Sequence, residues 1–279
     1  MNKTRRLVLA SLIAALLMSV AACSEPTDEP EPALADLSGP ADLDSYRSSA
    51  VITWTSPPEG GFKEWWEENI ESVRDPLAYH SVMTMGFTFP TELTGGPAGT
   101  FEISTEIYQV DGMGYRATGG AMGEGAETTG RQWSSVPMTD TSGTAWLGGV
   151  SSDVLRGVCA WQYQGKEKID GVVVHHWSLP KAGAEECFKW VKIGPTRGLS
   201  FFAAGDLTAA GGDLYVPVGG DYLARVDLFF EGTQIAIPSP QGVDYFDRAR
   251  GELGYTLSDA NERITIEVPE EALKANVPP

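Results

Sequence analysis

The chain has 279 residues, 42% of them hydrophobic, and its 38 acidic side chains outnumber 20 basic ones, giving a net charge of −18. So acidic a surface repels phosphates and anionic head groups, which argues against a nucleic-acid partner and against attachment to a membrane through charge. The length is sufficient for one large domain with a hydrophobic core.

The first 23 residues have the pattern of a secretory signal ending in a cysteine that becomes lipidated. Lys3, Arg5 and Arg6 precede the apolar run 7–20, and Ala-Ala-Cys closes the segment at Cys23. The run is too short to span a bilayer comfortably and ends in small residues, as cleaved signals do. We expect residues 1–22 to be removed and Cys23 to carry diacylglycerol, with palmitate as a further acyl chain. The alternatives are an ordinary signal peptide with a chance cysteine and an uncleaved anchor.

This lipidation would place the protein outside the cytoplasm, periplasmic or otherwise extracytoplasmic, and anchored to the cell membrane. Residues 23–42 are predicted to form an acidic tether, because they contain four prolines and six acidic residues but no basic one. Such a composition favours an extended, self-repelling chain. One helical turn at residues 34–37 is compatible with it. We expect residues 43–279 to form a single domain.

Alternation with a period of two dominates from residue 46 onward. Residues 46–54 predict a strand with one better-buried face. Residues 62–74 are ambiguous, because their apolar spacing fits a helix whereas the neighbouring hairpins favour a strand, which we prefer. Residues 79–89 predict a strand with Tyr79, Met83, Met85, Phe87 and Phe89 on one face.

Three hairpins are predicted at residues 101–118, 160–179 and 214–230. Their turns are Asp-Gly at 111–112, Asp-Gly at 170–171 and Gly-Gly at 219–220, and these dipeptides suit the positive φ angles of type I′ turns. Two final strands are expected at 253–257 and 264–268, so the chain is a β-meander. Residues 143–158 predict a short helix, and residues 194–211 a helix or flap, both lying across the apolar face of the sheet.

The sequence has no pattern of catalytic or metal-binding residues. His175 and His176 are adjacent, so on a strand they point to opposite faces and cannot chelate together. No serine-nucleophile or phosphate-loop motif is present. The acidic pairs at 67–68, 185–186 and 270–271 are typical of solvated surfaces. We therefore expect no enzymatic activity, no metal and no cofactor.

Cys159 and Cys187 are the cysteines that remain after Cys23. In an exported protein such a pair indicates a disulfide more than a metal site or a nucleophile. The hairpin centred on residues 170–171 would return the chain close to Cys159, which suits the pairing. The bond would contribute about 3 kcal/mol to stability.

Several short motifs, taken in order, resemble bacterial lipoproteins of the LolA/LolB and LppX/LprG superfamily. The likeness runs over about residues 43–272, each motif is short and mainly structural, and the specificity lies in their order. The motifs are Ser45-Tyr46-Arg47; Asp75-Pro76-Leu77-Ala78-Tyr79-His80; residues 106–112 with Tyr115; Asp170-Gly171-Val172 with His176-Trp177; Leu214-Tyr215-Val216 with Leu223 and Arg225; and residues 256–259 with Ile264-Thr265-Ile266 and Pro269.

The resemblance implies a mainly β fold: a strongly curved antiparallel half-barrel of about eleven strands, with short helices covering its concave face. Family members bind or carry acyl chains, lipidated proteins or glycolipids between membranes. The chain departs from the classical carriers in its barely discernible N-terminal helix and its added cysteine pair, so no ligand-contact residue is carried over.

Together these features predict a membrane-anchored lipoprotein that binds a hydrophobic ligand, such as a lipid or another acyl-chain compound, and acts as a monomer. The ligand would enter by displacing residues 194–211. The candidate cavity residues are Met83, Met85, Phe87, Phe89, Tyr222, Val226, Leu228 and Phe230.

One alternative is a filled half-barrel that acts as a structural or sensory envelope module through a protein partner. It would use exposed tryptophans such as Trp54, Trp65 or Trp133. An acidic-surface hydrolase is a more distant alternative.

Overall fold

A computed structural model describes residues 33–37, 39–57, 61–89, 99–122, 132–137, 159–190, 202–203, 206–239 and 242–275. Residues Ala33–Pro279 form one compact unit, and every residue of the described core lies at or after Leu34. Across the described ranges, no helix is both long and apolar enough to cross a membrane.

Strands make up most of the described chain. They are β1 (Ser45–Ser56), β2 (Phe62–Val73), β3 (Ala78–Phe89), β4 (Gly99–Val110), β5 (Met113–Met122), β6 (Gln132–Pro137), β7 (Gln162–Ile169), β8 (Val172–Leu179), β9 (Phe202–Ala203), β10 (Leu207–Pro217), β11 (Arg225–Ser239) and β12 (Gly242–Ser258).

All twelve strands belong to one antiparallel sheet. Eleven of them follow the order β6-β5-β4-β3-β2-β1-β12-β11-β10-β8-β7, and the two-residue β9 pairs with β11 beside this path. The sheet is curved and does not close on itself, so in the described part of the chain β6 and β7 form its two edges. The predicted fold class, a curved antiparallel sheet of about eleven strands with short helices, is confirmed.

The ambiguous segment 62–74 is a strand. Its residues pair with β1 from Ser45↔Val73 to Ser56↔Phe62, and with β3 from Lys63↔Thr88 to Val73↔Ala78. The helix-like spacing of its tryptophans is overridden because a strand on each side satisfies the backbone hydrogen bonds of β2. The preferred prediction is therefore confirmed.

The sheet buries one face, here called the inner face. In β1 it carries Tyr46, Ser48, Ala50, Ile52 and Trp54, each 8% exposed or less, as the alternation predicted. The same face of β10, β11 and β12 adds the largest share of the core. These residues are Ala210, Leu214, Val216, Val226, Leu228, Phe230, Ala249, Leu253, Tyr255 and Leu257.

Two α-helices in the described part of the chain pack on the sheet. Helix α1 (Lys181–Trp190) begins directly after Pro180 and contacts β9 and β10, and its Ala184 is fully buried in the core. Helix α2 (Glu270–Leu273) contacts β5 and β6. The sequence predicted neither helix.

Short 3₁₀ helices at Leu34–Asp36 and Pro40–Asp42 precede β1. The first coincides with the helical turn considered at 34–37. Leu37, within the predicted tether, is only 6% exposed and belongs to the core cluster. At least this part of the predicted tether therefore packs against the core of the sheet.

Three local predictions are wrong. Residues 264–268 form no strand: Ile264 is buried and its neighbours Arg263 and Thr265 are exposed, as the alternation predicted, but the segment pairs with none of the described strands. Residues 207–211, predicted as part of a helix or flap, belong to β10 and pair with β11. The connection in the third hairpin is longer than the predicted two-residue Gly-Gly turn, since the last residue pair of the two strands is Tyr215↔Arg225.

The predicted helix at 143–158 and the remainder of the flap at 194–201 lie outside the described residues.

Candidate ligand-binding face

The inner face differs sharply between the two halves of the sheet. Val226, Leu228 and Phe230 of β11 are 1%, 5% and 4% exposed, whereas Met83 and Met85 of β3 are only half-buried. In β4 the inner-face residues Phe101, Ile103 and Ile107 are half-buried as well. Apolar side chains thus remain accessible on the inner face of β3 and β4.

The predicted cavity residues therefore fall into two groups. Three strands, β2, β1 and β12, separate β3 from β11. Met83, Met85 and Phe87 belong to the accessible group, and Val226, Leu228 and Phe230 to the packed core. Tyr222 is half-buried and lies before the start of β11, and the side chain of Phe89 is outside the described residues.

Four phenylalanine rings form a row along one end of the sheet. Phe246 stacks on Phe62 with ring centroids 6.0 Å apart, Phe62 on Phe87 at 6.2 Å, and Phe87 on Phe101 at 6.3 Å. The interplanar angles are 10°, 29° and 25°, within the stacked range that aromatic pairs favour. All four rings are half-buried. This aromatic row joins β12, β2, β3 and β4 and continues the apolar surface of Met83 and Met85.

A carboxyl group lies within this apolar surface. Glu68 of β2 is 4% exposed and is paired with Ala50 on one side and Met83 on the other. Ser81 Oγ donates a 3.0 Å hydrogen bond to Glu68 Oε1. The other oxygen, Oε2, is buried and has no hydrogen-bond partner among the described residues.

Burial raises the pKa of Glu68 to about 7, because a charged carboxylate is poorly solvated there, and the Ser81 hydrogen bond partly offsets this rise. Glu64, two inner-face positions away on the same strand, also has its pKa raised by burial. Two carboxyl groups with weakened acidity thus flank the inner-face Trp66.

Tyrosine hydroxyls surround the same region. Burial raises the pKa of Tyr46 and of Tyr79, and the nearby charge of Glu68 raises both further. Tyr255, whose pKa burial also raises, interacts with Tyr46. Tyr46, Tyr79 and Tyr255 are all about 5% exposed. Glu68 therefore lies between buried tyrosines on one side and the accessible apolar surface on the other.

Sequence reasoning missed Glu68, since the pair Glu67-Glu68 was predicted to be solvated. Only Glu67 is exposed. The signal was present in the period of two, which places Glu64, Trp66, Glu68 and Ile70 on one face once residues 62–73 are taken as a strand. The prediction for Glu68 is therefore wrong because a surface composition was assumed for a segment whose secondary structure was undecided.

The histidines lie apart, as predicted for His175 and His176. His175 is buried, and its Nδ1 lies 2.9 Å from the Tyr163 hydroxyl. His176 lies on the other face, between Glu167 at 3.1 Å and Asp213 at 2.8 Å. No group of three or more potential ligands in the described residues is arranged to hold a metal ion.

His80 on β3 has surroundings like those of His176. It lies 3.3 Å from Glu71 and 3.2 Å from Glu106 and stacks on Tyr108. Contacts of this kind near the surface contribute little to stability.

Three tryptophans were considered as exposed contacts for a protein partner. Of these, Trp54 is only 2% exposed and contacts Phe230 edge to face at a ring-centroid distance of 5.1 Å. Trp54 is therefore not an exposed contact residue of the kind that the structural or sensory alternative would use, and its burial agrees with the alternation of β1. Trp65 and Trp133 are half-buried.

Cys23 lies outside the described residues, and so does the side chain of Cys187, although its backbone belongs to α1. Cys159 is buried in the core cluster. The lipidation and the disulfide therefore stay predictions.

No protein-family model and no curated protein sequence matches this chain. Solved structures do show similarity. LprF from Mycobacterium bovis is 15% identical with a TM-score of 0.35, over 86% of this chain and 95% of LprF.

Two further solved structures are similar. The LolA superfamily protein NE2245 from Nitrosomonas europaea is 11% identical with a TM-score of 0.21, over 86% of this chain and 92% of that protein. A β-barrel-like protein of the domain of unknown function DUF1849 from Brucella abortus is 8% identical with a TM-score of 0.34, over 78% of this chain and 99% of that protein.

Proposed function

We propose that this chain is an extracytoplasmic lipoprotein, anchored through Cys23, that binds an acyl-chain ligand on the inner face of β2, β3 and β4. The observation that carries the proposal is the half-buried, still accessible apolar surface formed by Met83, Met85, Ile103 and the aromatic row. The same face elsewhere in the sheet is packed to 5% exposure or less at Val226, Leu228 and Phe230.

An acyl chain suits this surface for two reasons. Burial of apolar area contributes about 25 cal/mol per Å², and a linear chain can cover side chains on adjacent strands at once. Methionine is flexible and polarisable, so Met83 and Met85 can adapt to chains of different length. The stacked phenylalanines provide a rigid apolar end to the same surface.

We propose a different route of entry from the one predicted from the sequence. Residues 207–211 belong to β10, and Phe202–Ala203 pairs with β11, so displacing the whole of 194–211 would break strand pairs. Entry along the aromatic row requires no such change in the described strands.

The proposal is tested by expressing residues 24–279 without the signal and lipid and purifying the protein without detergent. Organic extraction and mass spectrometry should then give a lipid in stoichiometric amount. The delipidated protein should bind the neutral fluorescent probe N-phenyl-1-naphthylamine.

A matched pair of variants locates the binding face. Met85→Gln introduces an amide into the apolar surface and should weaken probe binding by about tenfold, because the amide must lose its hydration there. Thr84→Gln changes the adjacent residue, which points to the opposite face, and should leave binding unchanged. A protein that carries no lipid and binds no probe would refute the proposal.

A further inference from the structure

Several buried polar atoms of the inner face have no hydrogen-bond partner in the described part of the chain, and Glu68 Oε2 is the one among them that belongs to a carboxyl group. The other carboxyl oxygen, Oε1, accepts from Ser81 at 3.0 Å. A buried acceptor left unpaired costs free energy, and most of all when the group can carry a charge, so this oxygen is a candidate acceptor for a bound molecule.

The described neighbours of Glu68 provide no cation to neutralise it. The residues paired with it are Ala50 and Met83. The titratable groups that face it from the packed strands are Tyr46 of β1 and Tyr79 of β3, and Glu64 is on the same strand. Tyr255 of β12 interacts with Tyr46 behind them. All of these are neutral or anionic in the physiological range.

The accessible apolar surface lies directly beside this carboxyl group. Met83, the cross-strand partner of Glu68, is half-buried, and so is Trp66, the previous inner-face residue of β2. An amphiphile whose chain lies on Met83 and Met85 would therefore place its head group within reach of Glu68.

We propose that Glu68 selects the head group of the ligand: Oε2 accepts a hydrogen bond from a hydroxyl or a protonated amine, and amphiphiles with an anionic carboxylate head group are rejected. This inference rests on the proposed function, because it assigns the polar end of the same binding face. An ionised Glu68 attracts a donor and repels a carboxylate, since both interactions take place where water screens them weakly.

The test compares three twelve-carbon amphiphiles, dodecanol, dodecylamine and laurate, as competitors of bound N-phenyl-1-naphthylamine on residues 24–279. At about pH 8, where amines are protonated and carboxylic acids ionised, dodecanol and dodecylamine should bind more tightly than laurate. In Glu68→Gln the ratio of dodecylamine to laurate affinity should fall by about tenfold or more, as expected for losing a hydrogen bond to a charged group.

Glu67→Gln is the matched control. It removes the same charge from the next residue of β2, whose side chain is exposed on the other face, so the affinity ratio should change less than about twofold. An equal fall in both variants would mean that overall charge, not Glu68, sets the preference, and would overturn the inference.

A wild-type measurement keeps the test independent of how well Glu68→Gln folds. Between about pH 6 and pH 8 dodecylamine stays protonated and laurate stays ionised, whereas the pKa of Glu68 is about 7. The preference for dodecylamine over laurate should therefore increase with pH in the wild type. A constant ratio overturns the inference.

The two proposals fail in different ways. Tight but unselective binding of all three amphiphiles refutes the role of Glu68 and leaves the acyl-chain site intact. Failure of the naphthylamine probe and of all three amphiphiles to bind refutes both.

Discussion

Glu68 also makes the stability of the protein depend on pH in a predictable direction. Its pKa is about 7 in the folded protein, against 4.5 for an ordinary glutamate. Below about pH 4.5 the group is protonated in both the folded and the unfolded chain. Above about pH 7 it is ionised in both, and the folded state must then hold a buried charge. The stabilising contribution is thus complete at low pH and is lost as the pH rises through 7.

The size of the effect follows from the pKa difference. At 1.36 kcal/mol per pKa unit, the free energy of unfolding should fall by about 3 kcal/mol between about pH 4.5 and pH 7, relative to a protein without this carboxyl group. Because Glu68 is only 4% exposed, solvent screening should reduce this figure little.

The assay is urea unfolding of residues 24–279, followed by tryptophan fluorescence at several pH values, for the wild type and Glu68→Gln. The difference between the two free energies should shift in favour of the variant by about 3 kcal/mol as the pH rises. The contributions of groups that titrate alike in both proteins cancel in this difference. In Ser81→Ala the upper end of the transition should move to higher pH, because the Ser81 hydrogen bond holds the pKa of Glu68 down.

Glu67→Gln should run parallel to the wild type over the whole range, because the Glu67 side chain is exposed. If the free energies of unfolding of the wild type and Glu68→Gln also run parallel with pH to within about 1 kcal/mol, Glu68 does not change its pKa on folding as described.

Three further predictions concern the fold. Trp54→Ala should lower the free energy of unfolding by about 3–5 kcal/mol in urea titrations, because it empties a fully buried site; a loss below 1 kcal/mol would contradict this packing. Gly86→Ala should cost about 1–3 kcal/mol and alter tryptophan fluorescence, because an added Cβ would overlap the Trp65 indole. Reduction should raise the intact mass by about 2 Da and destabilise the protein by about 3 kcal/mol if Cys159 and Cys187 are linked; free thiols in the untreated protein would disprove the bond.

Two control variants accompany these substitutions. Thr53→Ala changes the neighbour of Trp54 on the opposite face, where the side chain is half-buried, and should cost less than about 1 kcal/mol. Gly99→Ala adds a Cβ in a strand with nothing within 4 Å, so it should be tolerated. A loss of stability in Gly99→Ala as large as that in Gly86→Ala would show that overlap with Trp65 is not the cause.

The sequence predicts the first two hairpins well because their information is local. Asp111 and Asp170 both have positive φ, 52° and 49°, and each is followed by a glycine in the same region. Such turns determine which residues face each other in β4 and β5 and in β7 and β8. The alternation of Tyr46–Trp54 is also local, and it assigned these residues to the correct face.

The missed features depend on contacts distant in sequence. Residues 264–268 alternate as a strand would, but they pair with none of the described strands of the sheet. Helix α1 follows Pro180 and is anchored by Ala184 in the core, although the composition of residues 181–190 is only weakly helical. The split of the predicted cavity residues into a packed and an accessible group depends on strand order, which alternation alone does not contain.

The two edge strands bear on how the protein avoids self-association. An unpaired strand edge is a template on which another chain can add, and long flat edges lead to aggregation. β6 is only six residues long and ends at Pro137, which has no N–H to donate. β7 carries Lys166, Glu167 and Lys168, and its register shifts between Tyr163 and Gly165. Shortness and proline at one edge, and charge and an irregular register at the other, would keep the open sheet from adding a strand of a second molecule.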